Sequence, residues 1–528
     1  MRRAVTSWSA RGAAFVAALA AVVLVGWPGA VVAWDVVRAG LGGAIKPGSA
    51  AVSFGLLANT LGWAGGIALG ATLAGIPAAV WIARRGWGGA GWVLVPMLLP
   101  SYLCYAGYGL LRAPRTMLGD WIEQAAQHGA SWLPVFAGRV IAAAGLMLWA
   151  WPLASVVLAV GLRNVPRDAL EAVRLDGRGV AWRAWMRARL LGGWIVGAWG
   201  LVALVMMGSA VPLHLAQAPT YSVRVWFEMS VAPGSAGAWV SAWPLIVLAA
   251  LSAGVIVRHL VREPGATPEG RLGLAARRGA WRGLAVMLML SVGVPWAMMA
   301  WTVDSFASLG RFWQLSGEGL AVSGAVALAV GVVLAGLAGS VWMAAASFDP
   351  VARRVALACV GVMVFAVFVP GVLVGQATAQ AWEWNPVLRD WPGLVVVGHV
   401  ARFGGVAGVL GWALARSESS GARDARRLDG ATGGMGFLAA VAPGRWPACV
   451  GVGLAGACLS LHEIETSVFL QVPGTPGLAP TLLGYLHYSR MGDLSAAGVW
   501  IVGLGLAGAW MVGVCVRRGA RRHAGVQP

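Results

Sequence analysis

Few side chains in this sequence can do chemistry, and those in suggestive spacing stand out. His462-Glu463-Ile464-Glu465, followed by Thr466 and Ser467, sets two carboxylates and an imidazole at the end of an apolar run. Such a group attracts a hard cation, ferric iron for instance, and ionisable groups within a membrane mark substrate paths by default. The plainer reading, which the position at a run's end favours, is a solvated helix end at the outer interface. Arg402 and His399 lie inside another apolar run and are candidates to line a translocation path. The alternative for Arg402 is pairing with a carbonyl or snorkelling. Arg224 and Glu228 have the spacing of a simple helical ion pair. Cys104, Cys359, Cys449, Cys458 and Cys515 contain no CxxC pair and read as small buried hydrophobes. No HExxH occurs, and no resident metal is expected. Lys46 is the only lysine and Pro47 follows it, so the chain has no GxxxxGK[ST] phosphate loop.

The elements that must position these residues are apolar. Of 528 residues, 59% are hydrophobic and 11% charged, with mean hydropathy +0.74. Soluble domains carry about 25% charged residues, so a soluble or disordered chain is excluded. A helix crossing a ~30 Å hydrocarbon core needs about 20 apolar residues. Twelve segments qualify: 13–34, 51–83, 88–111, 133–162, 190–210, 236–257, 283–303, 319–345, 355–381, 391–415, 447–461 and 494–516. The first is either a span or a signal peptide ending near Ala33. The expected fold is all-α and polytopic, with about twelve transmembrane helices and both termini cytoplasmic. On that topology 29 of the 39 basic residues fall inside, as the positive-inside rule requires. The net charge of +19 is thus a topology signal, and nucleic acid is not expected as a partner. The abundant Trp and Gly fit interfacial anchoring and close helix packing.

A repeat divides the chain. Arg174-Leu175-Asp176-Gly177 recurs as Arg427-Leu428-Asp429-Gly430, offset by 253 residues. Each copy sits between the fourth and fifth spans of its half, in loops 163–189 and 416–446. Two six-span units follow, 1–262 and 283–528, joined by a cytoplasmic linker 263–282. Each copy reads as a short helix outside the bilayer. Asn164 and Pro166 start the first, with Asp168 and Glu171 near the positive end of its dipole. Ser419 and Ser420 cap the second, whose apolar edge is Ala422, Ala425 and Leu428. Gly177 and Gly430 are placed to stop the helices in a left-handed conformation. A duplicated loop helix suits a partner with two equivalent sites.

At these residues the sequence resembles the membrane subunit of binding-protein-dependent ABC importers, whose cytoplasmic loop carries EAA, three residues, then Gly. Glu171-Ala172-Val173 through Gly177 matches with Val for the second Ala; Asp424-Ala425-Arg426 through Gly430 matches with Asp for Glu and Arg for the second Ala. Pro443 occupies the family's later Pro position, where the first copy has Leu190, and Asn59-Thr60-Leu61 resembles the family's opening signature. The fused duplication is similar to the group importing ferric iron, with thiamine and polyamine or phosphonate importers nearby. The resemblance implies an ATPase-coupling role for Glu171, Ala172, Gly177, Asp424, Ala425 and Gly430, while the substrate path near His462, Glu463, Glu465 and Arg402 rests on their being ionisable residues in or at the end of apolar runs. It implies two copies of a cytoplasmic ABC ATPase that bind the ATP and Mg, with no cofactor and no catalytic site in this chain. It further implies a periplasmic or lipid-anchored solute-binding protein, surrounding lipid and the bacterial inner membrane. Two other classes fit the span count: a proton-coupled secondary transporter, which predicts buried acids, and a polytopic membrane enzyme, which needs an acidic or His cluster in an outer loop.

Overall fold

The computed structural model describes residues 2–45, 51–86, 90–114, 116–176, 179–262, 278–303, 305–431, 434–472, 474–475, 477–488 and 490–524. Among them there is helix and no strand. In the first half the principal helices are α1 (Ser9–Leu41), α2 (Phe54–Arg85), a bent pair α3 (Gly91–Leu98) and α4 (Ser101–Arg112), and α5 (Leu133–Asn164). They continue with α6 (Arg167–Leu175), α7 (Val180–Leu190), α8 (Gly192–Met207), α9 (Val211–Leu215), α10 (Tyr221–Val231) and α11 (Trp243–Arg262). In the second half they are α12 (Gly279–Trp301), α13 (Phe306–Ala346), α14 (Pro350–Phe368), α15 (Gly371–Trp382) and α16 (Gly393–Arg416). They end with α17 (Ser420–Leu428), α18 (Gly434–Ala440), α19 (Ala442–Leu461), α20 (Ser467–Leu470), α21 (Leu478–His487) and α22 (Met491–Ala524).

Among the described residues nine helices are long and apolar enough to cross a membrane, or eleven with each of two bent pairs counted as one span. A polytopic membrane protein is the consequence, since such apolar length has no other stable home. Each of the twelve expected segments is mainly helical over its described residues. The eleventh, α19, falls outside the set of nine because Arg445, Pro443, Pro447 and several glycines dilute its apolar character. Two segments expected as single runs are split at a proline, at Leu99-Pro100 and at Val369-Pro370, and a third, 236–257, is interrupted at Ala242. Proline lacks the N–H that would continue the ladder and clashes with the preceding turn. The first break turns α4 away from α3 by 71°.

The two halves pack by one scheme. α2 lies against α5 and α8, and α13 lies against α16 and α19. Small residues allow this: Gly331 of α13 and Gly453 of α19 face one another so closely that a Cβ on either would strike the other's carbonyl. The first helix of each half does not stay at home. α1 packs on α13, α14 and α15, while α12 packs on α2, α4 and α5 as well as on α22 of its own half. Arg11 pairs with Asp349 at 2.8 Å, and Trp27 donates to the Ala381 carbonyl at 3.1 Å. Reciprocally, Tyr108 donates to the Leu290 carbonyl and Trp151 to Ser291 Oγ, both at 2.7 Å. The residues 263–282, of which 263–277 lie outside the described set, therefore do not separate two self-contained bodies.

Each exchanged helix carries the same irregularity, a π-helical turn at Val22–Gly26 in α1 and at Met289–Gly293 in α12. Each turn runs into a proline, Pro28 and Pro295. Widening the turn relieves the clash between a mid-helix proline ring and the carbonyl four residues back. In α12 that carbonyl, Ser291, accepts a weak bond from Cys104 Sγ at 3.8 Å.

Candidate functional site

Two groups of residues follow from the sequence, one where the halves meet and one on the paired loop helices. At the meeting point, the connection from α19 to α20 runs beside the end of α8 and the start of α15. Glu465 is 8% exposed, so the expectation of a solvated helix end fails for it. Its Oε1 accepts from the backbone N–H of Ala210 at 2.6 Å and of Val211 at 3.4 Å, both in the other half. Its Oε2 is buried and has no hydrogen-bond partner. Glu463 Oε1 accepts from the N–H and the hydroxyl of Thr466, each at 3.2 Å. Thr466 also bonds the Gly371 carbonyl at 3.2 Å. Gly371 has to be glycine, because a Cβ there would lie 2.9 Å from Glu463 Oε1 and 3.0 Å from Glu465 Oε2. Burial first, and then the Glu463 charge, raises the Glu465 carboxyl above its ordinary value, while Arg402 and the two amides pull it back.

His399 is buried on α16 and satisfied at both nitrogens, Nδ1 to Ser460 Oγ at 2.7 Å and Nε2 to Ser467 Oγ at 2.9 Å. Since the Ser467 hydroxyl donates to the Glu463 carbonyl, the network assigns the neutral tautomer with its proton on Nε2. Arg402 is committed to backbone: it donates to the carbonyls of Val367, at 3.0 Å, and Val369. Those carbonyls were orphaned by the break at Pro370, so Arg402 caps a broken helix. Its counterpart 253 residues earlier, Trp149, does the same for the first break, donating to the Leu99 carbonyl at 2.8 Å. His462 has a buried Nε2 without a hydrogen-bond partner. No group of three or more His, Cys, Asp or Glu with metal-holding geometry occurs among the described residues. All five cysteines are free. Arg224 and Glu228 form the expected pair at 2.7 Å, and Glu228 also accepts from Ser241. Of the opening signature, Asn59 donates to the Pro219 carbonyl at 2.5 Å, and Thr60 Oγ1 accepts from Tyr221 N–H at 2.9 Å.

The loop helices α6 and α17 are each nine residues long and start at the 253-residue offset. Their exposure follows the same register. Glu171 and Asp424 are exposed, as are Ala172 and Ala425. Leu175 and Leu428, 85% and 88% exposed, stand at matching ends. Among the positions whose exposure is described, one in each is buried, Val173 and Arg426. Ser419 Oγ caps α17 through Ala422 N–H at 3.2 Å, as expected. At its far end Gly430 is left-handed with φ +68°, and Ala431 N–H reaches the Arg426 carbonyl at 3.0 Å, closing a Schellman turn. Gly177 lies outside the described residues. Two expectations are corrected. Asn164 does not start α6; it is the last residue of α5, and Pro166 is the N-cap. Ala422, Ala425 and Leu428 form no inward edge, because Arg426 takes the buried position.

Arg426 is buried because it is fully partnered. Its guanidinium forks onto Glu418, Nε to Oε1 at 2.9 Å and Nη2 to Oε2 at 3.0 Å, with side chains 3% and 5% exposed. Nη2 also reaches the Ala346 carbonyl at the end of α13, at 3.0 Å. The Phe348 and Phe437 rings cover it at 4.9 and 5.5 Å. The positions 253 residues earlier are Val165 and Val173. The first half therefore has two valines where the second has an ion pair, and that exchange is the signal in the sequence that would have found it. No protein-family model matches this chain, and no curated protein or solved structure matches it either.

Proposed function

We propose that this chain is the transmembrane permease subunit of an ABC importer, two six-span units fused in one polypeptide with both termini cytoplasmic. The observation that carries the reading is the pair α6 and α17: equal length, equal register, one buried anchor each and an exposed leucine at the same end. Two such helices suit two copies of an ATPase, each taking one helix into a cleft and binding the ATP and Mg. Closure of the ATPases would move α6 and α17, and with them the helices on which they ride. Glu171 and Asp424 are exposed, which suits contact with the partner and not bracing within the chain. The solute would enter from a binding protein on the outer face, with ferric iron proposed as cargo on the fused arrangement alone.

The test is ATP hydrolysis by the complex isolated with this chain from its native membrane. L175D/L428D puts a charge on both exposed leucines without touching the buried anchors. Loss of solute-stimulated hydrolysis with the chain still inserted is expected. Unchanged stimulation overturns the docking assignment. A second reading, a proton-coupled secondary transporter, is favoured by one observation, the buried carboxylate of Glu465. Uptake into vesicles driven by a proton gradient without ATP would select it.

A further inference from the structure

Glu465 joins the two halves through hydrogen bonds that do not need its charge. A carbonyl oxygen accepts from Ala210 and Val211 as a carboxylate oxygen does, so a neutral acid keeps both bonds through Oε1. The other oxygen decides the state. Oε2 is buried with no donor to receive, and an ionised oxygen left so is costly. Glu463 Oε1 shares this site, since a Cβ on Gly371 would lie 2.9 Å from it and 3.0 Å from Glu465 Oε2. A second negative charge beside a buried carboxylate raises the cost of ionising it, and the Arg402 charge offsets this only in part. Among the described residues no basic side chain forms an ion pair with either carboxylate; the nearby cation is Arg402, which donates to carbonyls and acts on Glu465 through space.

The surrounding elements supply no other charge. α8 and α15 contain no ionisable side chain, and α9 contributes only His214, three residues beyond Val211. On α16, His399 is the neutral tautomer held between two serines. His462 and Glu463 lie on the same connection as Glu465.

We propose that Glu465 is a proton-binding site at the junction of the two halves: it carries a hydrogen on Oε2, directed at the Glu463 carboxylate, while Oε1 latches the first half. Ionisation breaks the Oε2–H bond and passes the proton to water, leaving two carboxylates facing one another and loosening the latch. Closure of the halves at this point is therefore linked to pH. The inference holds whether ATP or an ion gradient drives the chain, because it rests on the junction alone.

The test uses the full chain in lipid nanodiscs, without partners. Infrared spectra across a pH series should show a protonated-carboxyl carbonyl band that vanishes as pH rises and is missing from Glu465→Gln. Glu463→Gln should keep the band but lower its midpoint by roughly one unit, because removing the neighbouring negative charge lets Glu465 ionise more readily; a raised or unchanged midpoint overturns the proposal. The folded acid holds its proton to a higher pH than the unfolded one. Its contribution to stability is thus whole below the ordinary Glu range near ~4.3 and is lost as pH rises through the folded value. The melting temperature of the native chain relative to Glu465→Gln should fall over that window. The glutamine amide oxygen can still accept from Ala210 and Val211, so this variant is expected to fold, which circular dichroism checks. Absence of the band, its persistence in Glu465→Gln, or its removal at fixed pH by Na⁺, K⁺ or Ca²⁺ overturns the proposal; the last would make the site one for a metal cation.

Discussion

Replacing Arg426 by valine, the residue its first-half counterpart carries, strips the buried Glu418 carboxylate of the guanidinium it pairs with. Glu418 is 5% exposed and both of its oxygens face the guanidinium, so nothing hydrates the charge once Arg426 is gone. Breaking such a pair from one side costs about 3–5 kcal/mol. The loss should be local, because the pair ties α17 to the end of α13 through the Ala346 carbonyl. Converted at 1.4 kcal/mol per decade, amide exchange along α17 should quicken by roughly two to four orders of magnitude. Restoring the first half's whole solution, E418V/R426V, removes both charges at once. That double variant is expected to recover most of the loss, since replacing a buried pair with apolar residues is often neutral or stabilising by about 1–4 kcal/mol. Hydrogen exchange of the native chain, both single variants and the double variant gives the complete cycle. A double variant that exchanges as fast as R426V would refute the reasoning, for the helix would then depend on the guanidinium itself and not on charge neutrality.

Three further outcomes can be measured on the same preparation. Gly371→Ala drives a Cβ against both Glu463 and Glu465 and should lower the melting temperature, whereas Gly421→Ala, which meets nothing within 4 Å, should not. Gly430→Ala forces a side chain onto a left-handed residue and should cost about 1–2 kcal/mol, read as faster exchange at the end of α17 alone; equal exchange would deny the Schellman stop. The Arg11 guanidinium, helped by the Val351 N–H, holds the Asp349 carboxyl below its ordinary value. Its stabilisation is present above the unfolded value near ~3.9 and lost as pH falls through the folded one, so the advantage of the native chain over Asp349→Asn should shrink with acidification.

The loop helices were legible because their duplication lies in side chains: the Arg-Leu-Asp-Gly tetrad fixes register, and glycine announces the left-handed stop. The apolar runs were legible for a cruder reason, since burial in lipid demands length. What escaped was carried by the backbone. Glu465 bonds two amides whose residue types, Ala210 and Val211, say nothing about a carboxylate. Trp149 and Arg402 perform one task with unlike side chains, because any long donor can cap a carbonyl freed by proline. The π turns share Val-Gly-Xaa-Pro at Val25–Pro28 and at Val292–Pro295, but their offset of 267 differs from the 253 of the loop helices, and a single-offset comparison passes over it.

The exchange of first helices bears on how the chain is made. Among the described helices α1 is made before the others, yet the surfaces that receive it, α13 and α14, begin at Phe306 and Pro350. At about 5–20 residues per second, α1 waits on the order of 15–60 s for its seat. During that interval Arg11 has no Asp349 and Trp27 no Ala381 carbonyl, so lipid or a chaperone in the membrane must hold the helix. A ribosome that stops after the first half leaves a product lacking the seat for its own first helix and missing the helix that belongs on α2. Fusion of the halves in one chain ensures that the two always arrive together, in equal number and beside one another.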